Sequence, residues 1–310
     1  MTGGISEMIQ KIGIVGLGAL GIMYAELFQD ALGKGHVYVI ADRDRIQRYQ
    51  KDGVYANGER CDFLYMDAGE AEEMDLLIFA TKYHGLADAA GNAAKACGKD
   101  TIVLSVLNGV TSEEVLEQIL HPAHLLYCTV QGMDATRTGN QLTYTRAGSI
   151  AFGEKENGRT EATARLEELF LQTGIPYVIP DDIIHQQWSK WMLNVGVNQV
   201  CAVCGISYGG VQQEGEHRDA MLAAMEEARQ AACAEGIPLT TAEIREWVKL
   251  IDSLSPEGEP SMRQDTREGR PTEVDLFAGL VCSLGRKHGL DTPQNDHFYE
   301  VLTGHPFDGQ

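Results

Sequence analysis

The feature that most restricts the fold of this chain is a glycine-rich segment near its start, residues 12–21, with the sequence IGIVGLGALG. An apolar run leads into Gly16, Gly18 and Gly21, which fit the pattern G-x-G-x-x-G, and a helical pattern follows. The first glycine permits a tight turn, the second lets the backbone approach a pyrophosphate, and the third brings the helix close to the strand. Because a helix start presents free N–H groups to phosphates, the segment predicts dinucleotide binding, with an ordinary glycine-rich turn as the alternative.

Short apolar runs alternate with helical patterns through the first half of the chain. Strands are predicted at 11–15, 37–40, 76–80 and 101–107. One helix is predicted at 20–32 and another begins at residue 111, and further strands are predicted between 125 and 180. The sequence Thr111-Ser112-Glu113-Glu114 predicts a capping box at the start of its helix. Since the runs are almost continuously apolar, they are typical of strands covered on both faces, and the alternation predicts a doubly wound parallel sheet.

From residue 183 onward almost every segment has a helical pattern. Helices are predicted at 183–203, 214–235, 240–254, 261–269, 272–288 and 294–303. Pro180 and the pair Asp181-Asp182 interrupt the pattern just before this region. The sequence therefore predicts an α/β dinucleotide-binding domain at residues 1–180, followed by an all-α substrate and catalytic domain at residues 181–310.

The composition excludes several classes of function. A net charge of −20 over 310 residues argues against nucleic-acid binding, because the phosphate backbone would be repelled. No apolar run approaches the roughly 20 residues that a bilayer requires, and no basic-then-apolar leader is recognisable, so we expect a cytoplasmic protein without membrane contact. The seven cysteines include one C-x-x-C pair without a second pair or a nearby histidine, which predicts free thiols and no metal site.

Polar residues follow the predicted strands at positions suited to a cofactor. Lys82 and Asn108 each come directly after an apolar strand, and ligands of parallel sheets bind outside the carboxyl ends of the strands. Asp42 ends the second strand, where an acidic residue binds the ribose hydroxyls of NAD, but the adjacent Arg43 favours the 2′-phosphate of NADP. Asp42 could also simply cap the next helix, so the choice of dinucleotide stays open at this point.

The densest set of polar residues on an apolar background is in the helix predicted at 183–203. Lys190, Asn194 and Asn198 are spaced at i, i+4 and i+8, which places them on one face of a helix that is otherwise largely apolar. Because buried amides and a buried ammonium need partners, this stripe is typical of a ligand site. Ser261 and Glu273 begin two later helices, where helix capping and a first-turn charge are the alternative explanations.

Taken together, these motifs resemble the ketopantoate reductase family (2-dehydropantoate 2-reductase) along nearly the whole chain. The resemblance is carried by Gly16–Gly21, Thr81-Lys82, Asn108-Gly109, Lys190-x3-Asn194-x3-Asn198, Ser261-Met-x-Gln-Asp265 and Thr272-Glu273-x-Asp275. It implies a Rossmann-like domain followed by a helical domain. It also implies reduction of 2-dehydropantoate to (R)-pantoate by NADPH, in pantothenate biosynthesis.

The resemblance implies a role for each of these residues. Lys190 would be the general acid, and Asn194, Asn198 and Ser261 would bind the substrate together with Lys190. The cofactor NADP(H) would be held by Gly16, Leu17, Gly18, Ala19, Leu20, Gly21, Arg43, Lys82, Asn108 and Glu273, with NAD(H) not excluded. The alternatives are a reductase of another 2-keto acid and a non-catalytic nucleotide-binding regulator. A homodimer is expected by analogy.

Overall fold

The computed structural model describes residues 8–308, so the first seven and last two positions of the predicted domains lie outside the described residues. The strands are β1 (Ile12–Val15), β2 (Val37–Ala41), β3 (Tyr55–Ala56), β4 (Glu59–Arg60), β5 (Leu64–Asp67), β6 (Met74–Phe79), β7 (Cys97–Ser105), β8 (His124–Gln131), β9 (Thr136–Thr138), β10 (Gln141–Thr143), β11 (Ser149–Gly153) and β12 (Tyr177–Val178). The helices are α1 (Ala19–Leu32), α2 (Arg43–Asp52), α3 (Leu86–Asn92), α4 (Ser112–Leu120), α5 (Glu161–Thr173), α6 (Ile183–Cys204), α7 (Glu216–Ala234), α8 (Thr241–Ser253), α9 (Ser261–Arg267), α10 (Ala278–His288) and α11 (Pro293–Thr303).

The chain forms two compact units. The first contains the residues up to Leu107 together with Thr111–Ile183, and the second contains Asn108–Val110 and the residues from Ile184 onward. A three-residue segment of the first half therefore belongs to the second unit.

An eight-stranded sheet organises the first unit, with the strand order β12-β11-β8-β7-β6-β1-β2-β5. The strands from β5 to β8 all pair in parallel, and β11 joins β8 in the antiparallel direction. All four residues of β1 are buried, as are five of the six in β6, because helices cover both faces of such a sheet. The predicted doubly wound α/β class is confirmed.

Among the described residues of the second unit, the regular secondary structure is helical, from α6 to α11, as predicted. Helix α6 has 22 residues and carries the polar stripe identified in the sequence. None of the described helices is both long and apolar enough to cross a membrane.

Two local predictions were wrong. Thr111 is the N-cap of α4, but its side chain does not cap the helix, and its buried hydroxyl has no hydrogen-bond partner among the described residues. The neighbouring Ser112 hydroxyl accepts from Ser105 at 2.7 Å and donates to the Glu113 carboxylate at 2.9 Å. The helix predicted at 272–288 begins only at Ala278, after a separate 3₁₀ turn at Val274–Leu276.

Candidate functional site

The glycine turn between β1 and α1 has the backbone that a dinucleotide-binding turn needs. Gly16 has φ of +98°, and a Cβ there would lie 2.7 Å from the Thr81 methyl group and 2.9 Å from the Ala80 carbonyl oxygen. A side chain on Gly21 would collide with the carbonyl oxygen of Gly16, so only glycine permits this packing of the helix on the turn.

The start of α1 is also electrostatically suited to a phosphate. Gly18 is the N-cap residue and offers no side chain to the first N–H groups, and the first turn contains no acidic residue. These N–H groups and the positive end of the helix dipole are therefore available to an anion. The turn residues Gly16–Gly21 thus fit the pyrophosphate of a dinucleotide.

The end of β2 shows what Asp42 and Arg43 do in this fold. Asp42 is the N-cap of α2, since its carboxylate accepts a hydrogen bond from the Arg45 N–H at 2.7 Å, which confirms the capping alternative. The guanidinium of Arg43 donates to the carboxylate of Asp67, and to Glu70 Oε1 at 2.6 Å. This contact lowers the pKa of Asp67, because the charged form is stabilised by the hydrogen bond from Arg43.

Lys82 lies three residues beyond the end of β6, at the carboxyl edge of the parallel sheet. Its backbone is extended, and its carbonyl accepts a hydrogen bond from the Gly85 N–H at 3.0 Å, which begins the turn before α3. The residue is exposed. The structure thus places Lys82 at a strand end, as the sequence predicted.

In the second unit, three predicted site residues lie together, although they are far apart in the sequence. The Lys190 ammonium donates to Asn108 Oδ1 at 3.3 Å, and the Asn108 amide donates to Glu273 Oε2 at 3.2 Å. Asn108 therefore bridges a cation and a carboxylate, with its amide oxygen towards the lysine and its amide nitrogen towards the glutamate. Such a bridge holds the ammonium of Lys190 in one direction and keeps a negative charge close by.

The two asparagines of the stripe continue the same face of α6. Asn194 is 8% exposed and Asn198 is 5% exposed, and within residues 8–308 neither side-chain amide makes a hydrogen bond. These largely buried amides are therefore available to the oxygen atoms of a ligand.

Ser261 is exposed, and it is the first residue of α9 rather than its cap. The N-cap position is occupied by Pro260, so capping does not explain the serine.

Two tryptophans that sequence reasoning did not assign hold α6 on either side of Lys190. The indole N–H of Trp191 donates to the Leu276 carbonyl at 2.7 Å, and that of Trp247 donates to the Ser189 hydroxyl at 2.9 Å. Because these bonds engage the residues just before and just after Lys190, they fix the rotation of the helix about its axis. The sequence signal was Trp191 next to Ser189-Lys190, but each of the two hydrogen bonds joins residues more than 50 positions apart.

A buried polar network anchors the other end of the stripe. Gln199, next to Asn198, is fully buried, accepts from the Ala278 N–H at 2.9 Å and donates to Asn295 Oδ1 at 3.0 Å. Asn295 in turn donates to Glu227 at 2.7 Å. A fully satisfied network of this kind specifies one packing of the helices.

A parallel sheet with a glycine turn at a helix start, followed by a unit of helices that carries the lysine–asparagine stripe, is typical of Rossmann-type oxidoreductases. Two family models match: Ketopantoate reductase PanE/ApbA over residues 12–157, and Ketopantoate reductase PanE/ApbA C terminal over residues 182–305. The chain belongs to the ketopantoate reductase family.

Curated relatives agree over almost the full length. The 2-dehydropantoate 2-reductase of Archaeoglobus fulgidus is 25% identical over 298 residues, which is 96% of this chain and 98% of the relative. The enzyme of the same name from Streptococcus pyogenes serotype M1 is 25% identical over 287 residues, 90% of this chain and 92% of the relative.

Solved structures share the fold. D-mandelate dehydrogenase in a ternary complex with NADH and anilino(oxo)acetate has a TM-score of 0.84 at 24% identity, covering 95% of this chain and 97% of that one. The 2-dehydropantoate 2-reductase of Geobacter metallireducens has a TM-score of 0.82 at 23% identity, covering 95% and 99%. A dimeric ketopantoate reductase from Staphylococcus aureus has a TM-score of 0.78 at 21% identity, covering 95% and 98%.

Proposed function

We propose that the chain reduces 2-dehydropantoate (ketopantoate) to (R)-pantoate, a step of pantothenate biosynthesis, with a reduced nicotinamide dinucleotide as hydride donor. The observation that carries the proposal is the Lys190–Asn108–Glu273 arrangement, which stands beside the asparagine stripe. Membership of the family and the names of the curated relatives support the same reaction. The predicted cytoplasmic location and homodimer stay predictions.

In this proposal each of the two predicted domains binds a different reactant. Residues 1–180 bind the dinucleotide through the turn Gly16–Gly21 and through Lys82, and residues 181–310 hold the keto acid. A bound reduced nicotinamide supplies the hydride that the carbonyl carbon accepts. Asn108 and Glu273 belong to the cofactor site by family resemblance. Asn108 also accepts a hydrogen bond from Lys190 and donates one to Glu273, so we assign this pair the further role of orienting the proton donor.

Lys190 is the proposed general acid. As a carbonyl is reduced, negative charge develops on its oxygen, and an ammonium at that oxygen stabilises the charge and donates the proton. The hydride adds to carbon and the proton of Lys190 adds to oxygen, so the product is a 2-hydroxy acid and Lys190 is left neutral until it takes a proton from solvent. Asn194, Asn198 and Ser261 bind substrate oxygen atoms and hold the carbonyl towards Lys190.

The direct test is the oxidation of reduced dinucleotide, followed at 340 nm, with purified ketopantoate and with NADH and NADPH in turn. We expect turnover, with (R)-pantoate formed in equal amount by chiral chromatography. The matched comparison is 3-methyl-2-oxobutanoate, which lacks only the hydroxymethyl group of ketopantoate, and we expect a lower kcat/KM for it.

The other results decide between the alternatives. Faster turnover of a different 2-keto acid would replace ketopantoate as the substrate and leave the reductase chemistry in place. Dinucleotide binding without turnover on a broad panel of keto acids would instead indicate a nucleotide-binding regulator.

A further inference from the structure

The end of β2 bears on which dinucleotide the chain uses. Building on the proposed function, we propose that the carboxylates of Asp42, Asp67 and Glu70 make this chain select NADH over NADPH. The family resemblance implies NADPH with Arg43 on the 2′-phosphate, so the proposal assigns Arg43 a different role.

The three carboxylates lie at the edge of the sheet where the adenosine ribose of a dinucleotide binds. Strand β2 pairs with β1 on one side and with β5 on the other, and Ala41 is in register with Asp67. The residue after β2 and the residue that ends β5 therefore lie at the same carboxyl edge as the glycine turn after β1. In Rossmann sheets, an acidic residue at the end of the second strand accepts hydrogen bonds from the ribose hydroxyls.

A surface cavity opens at this place, with a volume of about 390 Å³. It is lined by Asp42, Arg43, Asp67, Ala68, Gly69, Glu70 and Asn92. Three of the lining residues are acidic and one is basic, so the lining carries a net negative charge.

Arg43, the basic residue of the lining, and the neighbouring Arg45 and Lys95 already have partners. Arg43 donates to Asp67 and Glu70, Arg45 lies 3.2 Å from Asp42, and Lys95 donates to the Gly69 carbonyl at 2.7 Å. Among the described residues, the Asp42 carboxylate has two contacts, both to Arg45, through the backbone N–H and the guanidinium. Since an ionised carboxylate offers about four acceptor positions, Asp42 can still accept from ribose hydroxyls.

The two dinucleotides differ here by one phosphate. A 2′-hydroxyl donates to a carboxylate, whereas a 2′-phosphate brings about two negative charges to three carboxylates. Exposed ion pairs such as Arg43–Glu70 are individually weak, so Arg43 could turn towards a phosphate at little cost. Turning would leave Asp67 and Glu70 unneutralised beside that phosphate, and this repulsion decides against NADPH.

The test measures binding and needs no turnover. Isothermal titration calorimetry of the full chain with NADH and with NADPH, without keto acid, gives both dissociation constants. We expect NADH to bind at least about tenfold more tightly, a modest factor for like-charge repulsion at close range.

Two variants identify the residues responsible. Glu70→Gln removes one repelling charge, and we expect NADPH to bind about three- to tenfold more tightly while NADH binding stays within about twofold. Asp42→Asn keeps the helix cap, because asparagine caps as well as aspartate, but it weakens NADH binding and improves NADPH binding. The matched control is Glu72→Gln, which removes a charge paired to Lys11 outside the cavity and changes neither constant.

Each contrary result has its own meaning. Equal or tighter binding of NADPH by the unmodified chain overturns the NADH assignment and leaves the keto-acid reaction standing. The same improvement in Glu70→Gln and Glu72→Gln also overturns it, since overall charge would then be the cause. If neither dinucleotide binds, the assigned cofactor site fails, and the proposed function fails with it. If NADH binds more tightly but ketopantoate is not reduced, the proposed substrate is contradicted and the NADH assignment stands.

Discussion

Single residues decide what the site can do, and Lys190 is the residue on which most depends. Its ammonium donates a hydrogen bond to Asn108. Its helix is held by two further hydrogen bonds, from Trp191 to the Leu276 carbonyl and from Trp247 to the Ser189 hydroxyl. A lysine held in this way loses little side-chain entropy when substrate binds, because its conformation is already restricted. Pre-organisation is therefore built into the residue's surroundings.

We expect Lys190→Ala to lower kcat by roughly 10²–10⁴-fold, the usual contribution of a general acid, while the fold is retained. The measurement is steady-state kinetics with ketopantoate, together with circular dichroism and the calorimetric dissociation constant for dinucleotide. Lys249→Ala is the matched control, since Lys249 is an exposed lysine of the same unit paired to Glu246. Near-normal turnover in the Lys190 variant would remove this residue from the mechanism.

For single residues, the sequence predicted which side chains lie in the candidate site better than it predicted the hydrogen bonds between them. Regular spacing alone placed Lys190, Asn194 and Asn198 on one helix face, because helical periodicity is a local property. The contact between Asn108 and Glu273 spans 165 positions, and no local pattern encodes it. The conflict between Asp42 and Arg43 could not be settled either, since the carboxylates that hold Arg43 come from β5 and the turn after it.

At the scale of whole elements, long-range hydrogen bonds override local helical preference. The pattern at 272–288 is helical, yet the carbonyl of Leu276 bonds to Trp191 and the N–H of Ala278 bonds to Gln199. These partners replace helical bonds, so the helix begins only at Ala278. Helix α2 was anticipated only through the possible cap at Asp42 and was given no bounds, because its ten residues are almost entirely polar.

The connection between β8 and β11 depends on one carboxylate. Asp134 accepts hydrogen bonds from the Thr145 hydroxyl and from the N–H groups of Thr145 and Arg146, both at 2.8 Å. The hydroxyl is the main cause, and these bonds together lower the pKa of Asp134 to about 2. A carboxyl group whose folded pKa is depressed stabilises the fold above its unfolded pKa of about 3.9, and that contribution is lost as the pH falls through the folded pKa.

Asp134→Asn should therefore lower the free energy of unfolding by about 1 kcal/mol at neutral pH. The difference from the unmodified chain should stay constant down to about pH 5 and shrink below about pH 4. Urea unfolding at several pH values measures it, with Asp100→Asn, an exposed carboxylate of the same unit, as the control. A difference that persists undiminished at the lowest pH where the chain is folded would show that the ionised carboxylate is not its source.

For the molecule as a whole, the excess of acidic residues sets the electrostatic behaviour. A net charge of −20 remains after every lysine and arginine is counted, and the exposed ion pairs that these residues form each contribute little. Self-repulsion of this kind destabilises the folded state and is screened by salt, whose Debye length is about 10 Å at 0.1 M. Anionic ligands then depend on individual cations such as Lys190 rather than on long-range attraction.

We expect the melting temperature at neutral pH to rise by roughly 2–4 °C between low salt and about 0.2 M KCl, which corresponds to about 1 kcal/mol for a chain of this size. Differential scanning fluorimetry measures the shift. The control is the same titration near the isoelectric point of about 4.8, where repulsion is minimal and the shift should largely vanish. An equal rise at both pH values would assign the effect to general salting-out.

The assignment of Asn108–Val110 to the second unit has a practical consequence for dissecting the protein. The polypeptide passes between its two units three times, at 107/108, at 110/111 and at 183/184, so no single cut yields two complete pieces. A truncation that begins at Ile184 would keep the lysine but lose the asparagine that steers it. Any grafting of the helical half onto another scaffold must therefore carry this tripeptide along.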